Sequence, residues 1–254
     1  MIKVTDTKIA EPLFKNGKDT AILSCLQNIM GSVFVDNIEE PKSAMAILGD
    51  FCFFAGEPSE ELVATRPEDH DSNFIIMVPE NEAWADVIAR VYEGKSKRIT
   101  RYAIKKEGDI FDREKLQEVV ASLDKEFTIQ LIDEDLYMQC KTNGWGGDLV
   151  SQFPNYEMYK KLGLGVGVCK DGVLVAGASS YSRYQDGIEI EIDTKEDFRR
   201  RGLAYACGAK LVLECLERGL YPSWDAQNKW SVGLAEKLGY HFDHEYPAVE
   251  VYEY

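Results

Sequence analysis

Apolar residues recur at helical spacing early in the chain and at strand spacing late in it. Ile22, Cys25, Leu26, Ile29 and Met30 fall at i, i+3, i+4, i+7 and i+8. That spacing predicts a first helix, capped by Asp19 or Thr20 and closed by Gly31. Ala46-Ile47-Leu48 and Phe51-Cys52-Phe53-Phe54 read as a hairpin turning at Gly49-Asp50. Phe74 to Val78 is a buried strand. A helix starts at Pro79, lines one face with Trp84, Val87, Ile88, Val91 and Tyr92, and stops at Gly94. A strand near Ile99 to Ile104 follows. Asp112 then caps a helix that turns Leu116, Val119, Val120 and Leu123 inward, and Phe127 to Ile132 is a further strand. No catalytic motif stands in this part; Arg98, Arg101 and Tyr102 read as structural. Residues 140–162 show no clear period. They read as a connector or as a mobile aromatic loop at an acceptor site, with Gly144-Trp145-Gly146-Gly147, Phe153, Tyr156 and Tyr159. The glycines lack the Lys-Ser/Thr of a phosphate loop.

From Gly163 the pattern sharpens. Strands over Leu164–Cys169, Val173–Tyr181 and Ile188–Thr194 are joined by turns at Asp171-Gly172 and Gln185-Asp186-Gly187. A long helix runs from about Arg200 to Arg218 and stops at Gly219. A strand over Leu220–Asp225, a helix capped by Asn228 and closed by Gly239, and a strand near Val249–Tyr252 complete a β-β-β-α-β-α-β order. The expected organisation is α/β (α+β): an N-terminal α/β domain over 1–125 and a second domain over 126–254. The second domain has a mixed, mostly antiparallel central sheet flanked by helices.

The third of these strands carries chemistry. Strand period is two, so Ile188, Ile190 and Ile192 face one side and Glu189, Glu191 and Asp193 the other. An acidic row on an edge strand is a solvated face. On a central strand, neighbouring carboxylates raise one another's pKa, which suits a general base. Next comes Arg199-Arg200-Arg201-Gly202-Leu203-Ala204 at a strand-loop-helix junction. The first-turn N–H groups of a helix have no helical partner and its dipole favours an anion. Gly202 lets the backbone approach a phosphate, and basic residues at this end of a helix need an anion to offset them.

Arg-x-x-Gly-x-Ala in this position, followed by Trp224-Asp225-Ala226-Gln227-Asn228 and Leu238-Gly239-Tyr240, resembles motifs A and B of the GNAT superfamily, the Gcn5-related N-acetyltransferases. The combination is similar to a bacterial branch that includes the acetyltransferase conferring resistance to zwittermicin A. The resemblance implies a GNAT fold and acetyl-CoA as co-substrate. Arg199, Arg200, Arg201, Gly202, Leu203 and Ala204 would hold its pyrophosphate. Ile192, Asp193 and Thr194 would lie along the pantetheine, with Asn228 and Ser231 nearby. It implies acetyl transfer to an amine, with Glu191 as base and Glu189 as the second candidate. Many members carry a tyrosine acid seven residues past the motif B Asn; here that position is Ala235. A degenerate, non-catalytic acyl-CoA-binding module and a tandem-GNAT aminoacyl transferase are the competing readings.

Charge and cysteine content narrow the partners. The net charge is −15 over 254 residues, which disfavours nucleic acid. Residues 151–254 hold 12 Lys/Arg against 16 Asp/Glu, so the C-terminal part is the less acidic half. No apolar run reaches the roughly 20 residues of a membrane span, and the N-terminus lacks a signal-peptide pattern. Six scattered cysteines without a CxxC pair read as reduced thiols in a cytoplasmic protein. The expected partner is a small-molecule amine, with neither nucleic acid nor membrane, no metal, and homodimerisation left open. Cys207 as an acyl carrier, and His241 with His244 as metal ligands, are set aside; Trp224 and Trp230 read as core or pocket wall.

Overall fold

A computed structural model describes every residue except Asn16, Lys18 and Asp69. The chain forms two compact units, Met1–Arg101 with Glu245–Tyr254, and Tyr102–His244.

The first unit is laid out on β1 (Ile2–Val4), β2 (Ser32–Val35), β3 (Ser43–Leu48), β4 (Phe51–Gly56) and β5 (Phe74–Val78), side by side in that order. β1 to β4 pair antiparallel, and β4 with β5 parallel. Helix α1 (Thr20–Leu26) lies between β1 and β2, α2 (Glu60–Val63) between β4 and β5, and α3 (Glu82–Val91) after β5. The hairpin at Gly49-Asp50 forms where its turn residues place it. The first helix is shorter than its apolar stripe. Asn28 adopts φ 53° and donates its side-chain N–H to the Thr5 carbonyl, so Ile29 and Met30 fall outside the helix. α3 is capped by Asn81, which accepts the Trp84 N–H, rather than begun by Pro79. Trp84 stacks on Phe54 with centroids 4.9 Å apart, in a core with Met45, Ile75, Met77 and Ile88.

The second unit uses α4 (Arg113–Ala121), β7 (Phe127–Leu131), α5 (Glu134–Thr142), α6 (Tyr156–Leu162), β8 (Gly165–Lys170), β9 (Val173–Tyr184), β10 (Gly187–Thr194), α7 (Leu203–Glu217), β11 (Tyr221–Ser223), β12 (Asp225–Ala226) and α8 (Lys229–Leu238). Its sheet runs β7-β8-β9-β10-β11. The first three pairs are antiparallel and β10 with β11 is parallel. Ile188 and Ile190 are buried against the apolar side of α7, with Leu203, Cys207 and Leu211 in the same core. The fold is the mixed α/β arrangement expected.

Both units therefore repeat one plan. Four strands pair antiparallel in chain order, with helix between the first two; a helix then leads to a parallel fifth strand, and an Asn-capped helix follows it. No sequence period announces the repeat.

The division differs from the expected boundary at 125/126. α4 packs against α7, and Leu116 belongs to the second core, so residues 102–125 go with the second unit. β6 (Ser96–Ile104) and β13 (Phe242–Tyr252) each contain a point of division. The last part of β13, Val249–Tyr252, pairs with Met77–Phe74 of β5, so the final strand closes the first unit. Residues 140–162 also depart from the loop reading. They hold the end of α5, a 3-10 turn at Gly147–Val150 and α6. Tyr137, Phe153 and Tyr159 are buried, and Tyr137 donates to the Phe153 carbonyl at 2.8 Å. Their apolar spacing is broken between short helices, which hides the helical period. Among the described residues, no helix is long and apolar enough to cross a membrane.

Candidate active site

β10 is second from the end of its sheet. β9 accompanies it over its whole length, but β11 pairs with it only from Gly187 to Glu189. The chain after β11 turns instead to β6, where Asp225 and Ala226 pair with Ala103 and Tyr102. The parallel pair thus opens into a fork just past Glu189. Glu191 is the first carboxylate beyond the fork.

Opposite Glu189 the register of β9 slips by one residue, with Tyr181 as the extra residue between Ser180 and Ser182. Such a bulge re-aims the side chains beside it. Ser182 and Ser223 then flank Glu189 from β9 and β11, and both serines are fully buried. The Ser223 hydroxyl pairs with Tyr184 Oη at 3.1 Å. A Cβ on Gly187 would stand 2.5 Å from that same Tyr184 oxygen, so only glycine lets the ring cross the strand. Burial first, and the Glu189 charge among further causes, holds the phenols of Tyr184, Tyr221 and Tyr240 above their ordinary value. One Glu189 carboxylate oxygen is itself buried. Ser182 Oγ is buried with no hydrogen-bond partner.

Farther along the same face, Glu191 stands opposite Ser179 and Asp193 opposite Gly177. The 3-10 turn Gly147–Val150 packs across β9 and β10 here. Ser179 Oγ meets Tyr159 Oη at 2.8 Å. Burial raises the Asp193 carboxyl above its ordinary value; the Thr194 N–H and Arg199 oppose that rise, and Asp148 of the turn adds to it. The 140–162 stretch therefore lies over the carboxylate row, as ordered structure.

The loop after β10 holds two left-handed residues, Arg200 at φ 60° and Gly202 at φ 79°. Alternation of this kind turns successive N–H groups into an anion-binding hollow. A Cβ built on Gly202 meets nothing within 4 Å, so the space in front of it is open. α7 begins at Leu203 with no side-chain cap and no acidic residue in its first turn. Every other α-helix among the described residues has a side-chain cap: Asp19, Ser59, Asn81, Asp112, Asp133, Asn155 and Asn228.

The three arginines divide their roles. Arg199 Nε donates to the Thr194 carbonyl at 3.1 Å and ties the loop to the end of β10. Arg201 pairs with Glu126 and lies over the rings of Phe127 and Phe198, 5.0 and 5.5 Å from their centroids. Glu126 also binds Lys170 at 2.6 Å, and that bond leads the causes that lower its carboxyl below the ordinary value. Arg200 is exposed and extends from neither anchor. Thr194 is buried with its hydroxyl lacking a partner at the loop's start. Ile192 and Leu203 face the core beneath, and Ala204 is half-buried in the first turn.

On α8, Asn228 accepts the Ser231 N–H at 3.0 Å as the helix cap, and Ser231 Oγ accepts the Trp224 indole N–H at 3.0 Å. Trp224 is buried, whereas Trp230 is 90 % exposed and forms no wall of the core. Ala235 is fully buried, and Tyr240 donates to the Pro222 carbonyl at 2.6 Å inside the core. Cys207 is buried and burial pushes its thiol far up, leaving it no thiolate for acyl transfer. His241 faces Glu107 at 2.7 Å and His244 faces Asp243 at 3.1 Å, each in its own exposed pair.

Sequence reasoning passed over Ser182, Ser223, Tyr184 and Asp148. One signal was available: Ser179, Ser180 and Ser182 are polar positions in a central strand that is apolar from Val173 to Ala178.

A five-stranded mixed sheet forked at its parallel pair, with an open helix N-terminus at the fork, defines an acyltransferase fold. A family model for GNAT acetyltransferases matches residues 11–249, and the chain belongs to that family. It is an N-acetyltransferase of the GNAT type. The N-acetyltransferase YdfB of Bacillus subtilis (strain 168), whose own role is uncharacterised, is 25 % identical over 230 residues, covering 87 % of this chain and 85 % of that protein. A GCN5-related N-acetyltransferase-like protein from Streptococcus suis 89/1591 is 44 % identical with a TM-score of 0.90, covering 97 % of this chain and 98 % of that one. A tandem GNAT protein from the clavulanic acid biosynthesis pathway shares the fold over 100 % of this chain and 98 % of its own, at a TM-score of 0.59 and 9 % identity.

Proposed function

We propose that this N-acetyltransferase carries the acetyl group of acetyl-CoA directly to a primary amine of a small molecule, in a site built on β10. The observation that carries the donor half is the open junction at Gly202. First-turn N–H groups of α7, the hollow made by Arg200 and Gly202, and the Arg200 guanidinium together fit a pyrophosphate. Arg199 and Arg201 position the loop, by way of Thr194 and Glu126. Ile192, Asp193 and Thr194 offer their strand edge to the pantetheine arm, as an added strand would take it, and the orphaned Thr194 hydroxyl supplies a further polar partner. Asn228 and Ser231 stand on the neighbouring wall, where each also serves its own helix.

An amine near neutral pH is mostly protonated and must lose a proton to attack. Glu191, just beyond the fork, takes that role, with Glu189 the second candidate. A placed base contributes roughly 10²–10⁴ in rate. As the nitrogen bonds to the acetyl carbon, the carbon–sulfur bond breaks. The carboxylate receives the nitrogen's proton, and the CoA thiolate leaves and takes a proton from solvent. Tyr240 is locked on Pro222, so it supplies no acid. A backbone N–H at the fork polarising the carbonyl is worth roughly 10²–10³.

The acceptors this reading covers are polyamines and aminated antibiotics, including aminopolyols. Six free, buried cysteines support a cytoplasmic setting. The non-catalytic binding module rests on Ala235 alone and is not favoured. The test has two stages. Acetyl-CoA raises the thermal midpoint, and thiol release is then followed with a panel of polyamines, aminoglycosides and aminopolyols. No thermal shift at millimolar acetyl-CoA overturns the donor assignment.

A further inference from the structure

β11 ends its pairing with β10 at Ser223, which stands across from Glu189 at the apex of the fork. Beyond it the chain turns to β6, and Ile190 to Thr194 of β10 have no strand beside them on that side. This free edge is roughly 13 Å long at about 3.3 Å per residue, about the length of an extended pantetheine arm. An arm that starts at the Gly202 hollow, by Thr194, and follows the edge brings its sulfur to the apex. Ser223 is fully buried there. Its Oγ and Tyr184 Oη are joined at 3.1 Å, and neither side chain makes another hydrogen bond among the described residues. Two hydroxyls that share one bond leave one hydrogen over, and a buried donor costs free energy until an acceptor meets it. Mutual satisfaction of two buried groups does not account for that hydrogen, nor for the glycine at 187 that lets the Tyr184 ring cross the strand. Burial above all holds the Tyr184 phenol above its ordinary value, with the Ser223 bond opposing and Glu189 adding to the rise. The phenol stays protonated and can donate to Ser223 Oγ, which turns the serine hydrogen toward the apex.

We infer that Ser223 is a catalytic residue that donates a hydrogen bond to the departing sulfur of CoA, with Tyr184 behind it as a positioning residue. The inference rests on the acetyl-CoA reading and fills the place that Ala235 and the locked Tyr240 leave empty. As the amine nitrogen bonds to the acetyl carbon, the electron pair of the carbon–sulfur bond moves onto sulfur. The Ser223 hydrogen meets that growing charge and stays on its own oxygen; the thiolate takes its proton from solvent afterwards. A thioester sulfur is a poor acceptor and a thiolate a good one, so the bond strengthens on the way to the transition state and acts on kcat.

Bound CoA gives a readout apart from turnover. Its thiol is titrated through the ultraviolet absorbance of the thiolate, as a difference against the protein alone, in the parent and in Ser223→Ala. The titratable and charged groups on the elements around the apex are Glu189 and Glu191 on β10, Tyr184 on β9, Tyr221 on β11, Asp225 on β12 and Lys229 on α8, and they are the same in both proteins. The thiol is expected to titrate about one to two pH units higher in the variant, the worth of one hydrogen bond to a charged group. The kcat of the variant should fall roughly 10- to 100-fold, with KM for acetyl-CoA and the thermal shift it produces unchanged. Tyr184→Phe keeps the ring and should move both readouts the same way by less. The double variant should be no worse than Ser223→Ala, because the pair acts as one unit. A thiol that titrates alike in parent and Ser223→Ala, an unchanged kcat, or effects of the two substitutions that add in full would overturn the inference. If acetyl-CoA gives the parent no thermal shift, the donor reading fails and this inference with it; a normal shift with an unmoved thiol removes this inference alone.

Discussion

The two units run through the same elements and part company at one junction. In the first, β4 reads Phe51-Cys52-Phe53-Phe54-Ala55-Gly56, without a carboxylate, and leads into a four-residue helix. Ser59 caps that helix, and Glu60 and Glu61 fill its first turn. The Gly56 N–H before it donates to Glu80 at 3.1 Å. The protein's own acids thus occupy the place where an anion would bind. In the second, β10 carries three carboxylates, and α7 opens on Gly202 with neither cap nor acid. A shared fold therefore does not confer a shared site. The donor site requires that one helix be left unfinished and its partner strand be polar on one face.

The largest test of that contrast is at the unfinished helix. Gly202→Glu places a side chain and a negative charge in the open space and should abolish acetyl-CoA binding. The parent gains about 2.7 kcal/mol of stability at 100 times Kd, and the variant should gain none. Circular dichroism should remain native: a Cβ there meets no neighbour, and the left-handed φ of 79° costs a side chain only about 1–2 kcal/mol. Ser59→Gly, which uncaps the matching helix of the first unit, should leave the acetyl-CoA shift unchanged. Normal binding by Gly202→Glu would move the pyrophosphate elsewhere.

Next in size is the strand. Glu191→Gln should lower kcat by roughly 10²–10⁴ and spare acetyl-CoA affinity, because the amide keeps the shape and cannot take a proton. If turnover is unchanged across pH while Glu189→Gln lowers it, the base is the buried carboxylate inside the fork, and the fork's edge does not mark the reacting position.

Much of the second unit was legible because its signals are local. Alternating Ile and Glu fixed both faces of β10, and Gly219 and Gly239 marked the ends of α7 and α8. What escaped was non-local. The fork depends on Asp225 leaving for β6, and the unpaired Ser182 depends on a bulge opposite Glu189. The final strand looked like the end of the second unit because pairing partners are invisible in a run such as Val249–Tyr252. The repeat escaped for a related reason. The first unit follows the same element order but carries Ser59-Glu60-Glu61 where the second has the Arg-rich loop, so the most distinctive local signal of the plan stands in one unit alone.

The two Asn caps offer a smaller comparison. Asn81 and Asn228 cap the helices that follow the parallel strand in each unit, each accepting the N–H three residues on, at 3.2 and 3.0 Å. Replacing either by alanine should cost about 1 kcal/mol of stability, read from urea unfolding. Only Asn228→Ala should also weaken acetyl-CoA binding. Equal effects of the two on binding would make the α8 cap purely structural.

The smallest effect concerns the desolvated end of the carboxylate row, for which β4 has no counterpart. Burial raises the Asp193 carboxyl above its ordinary value. A raised acid favours the folded state while protonated; that advantage is complete below the unfolded pKa and is lost as pH rises through the folded value. At neutral pH the charged group therefore weakens the fold. Asp193→Asn keeps an oxygen for the Thr194 N–H, which Asp193 accepts at 2.6 Å, and removes the charge. The variant should melt about 1–2 °C above the parent at pH 7, with the gap closing as the pH falls toward the ordinary carboxyl range. Because the side chain is half-exposed, solvent keeps the gap small. A variant less stable than the parent at pH 7 would mean that Arg199 and the Thr194 N–H outweigh burial. The outer carboxylate would then be a fixed structural anion.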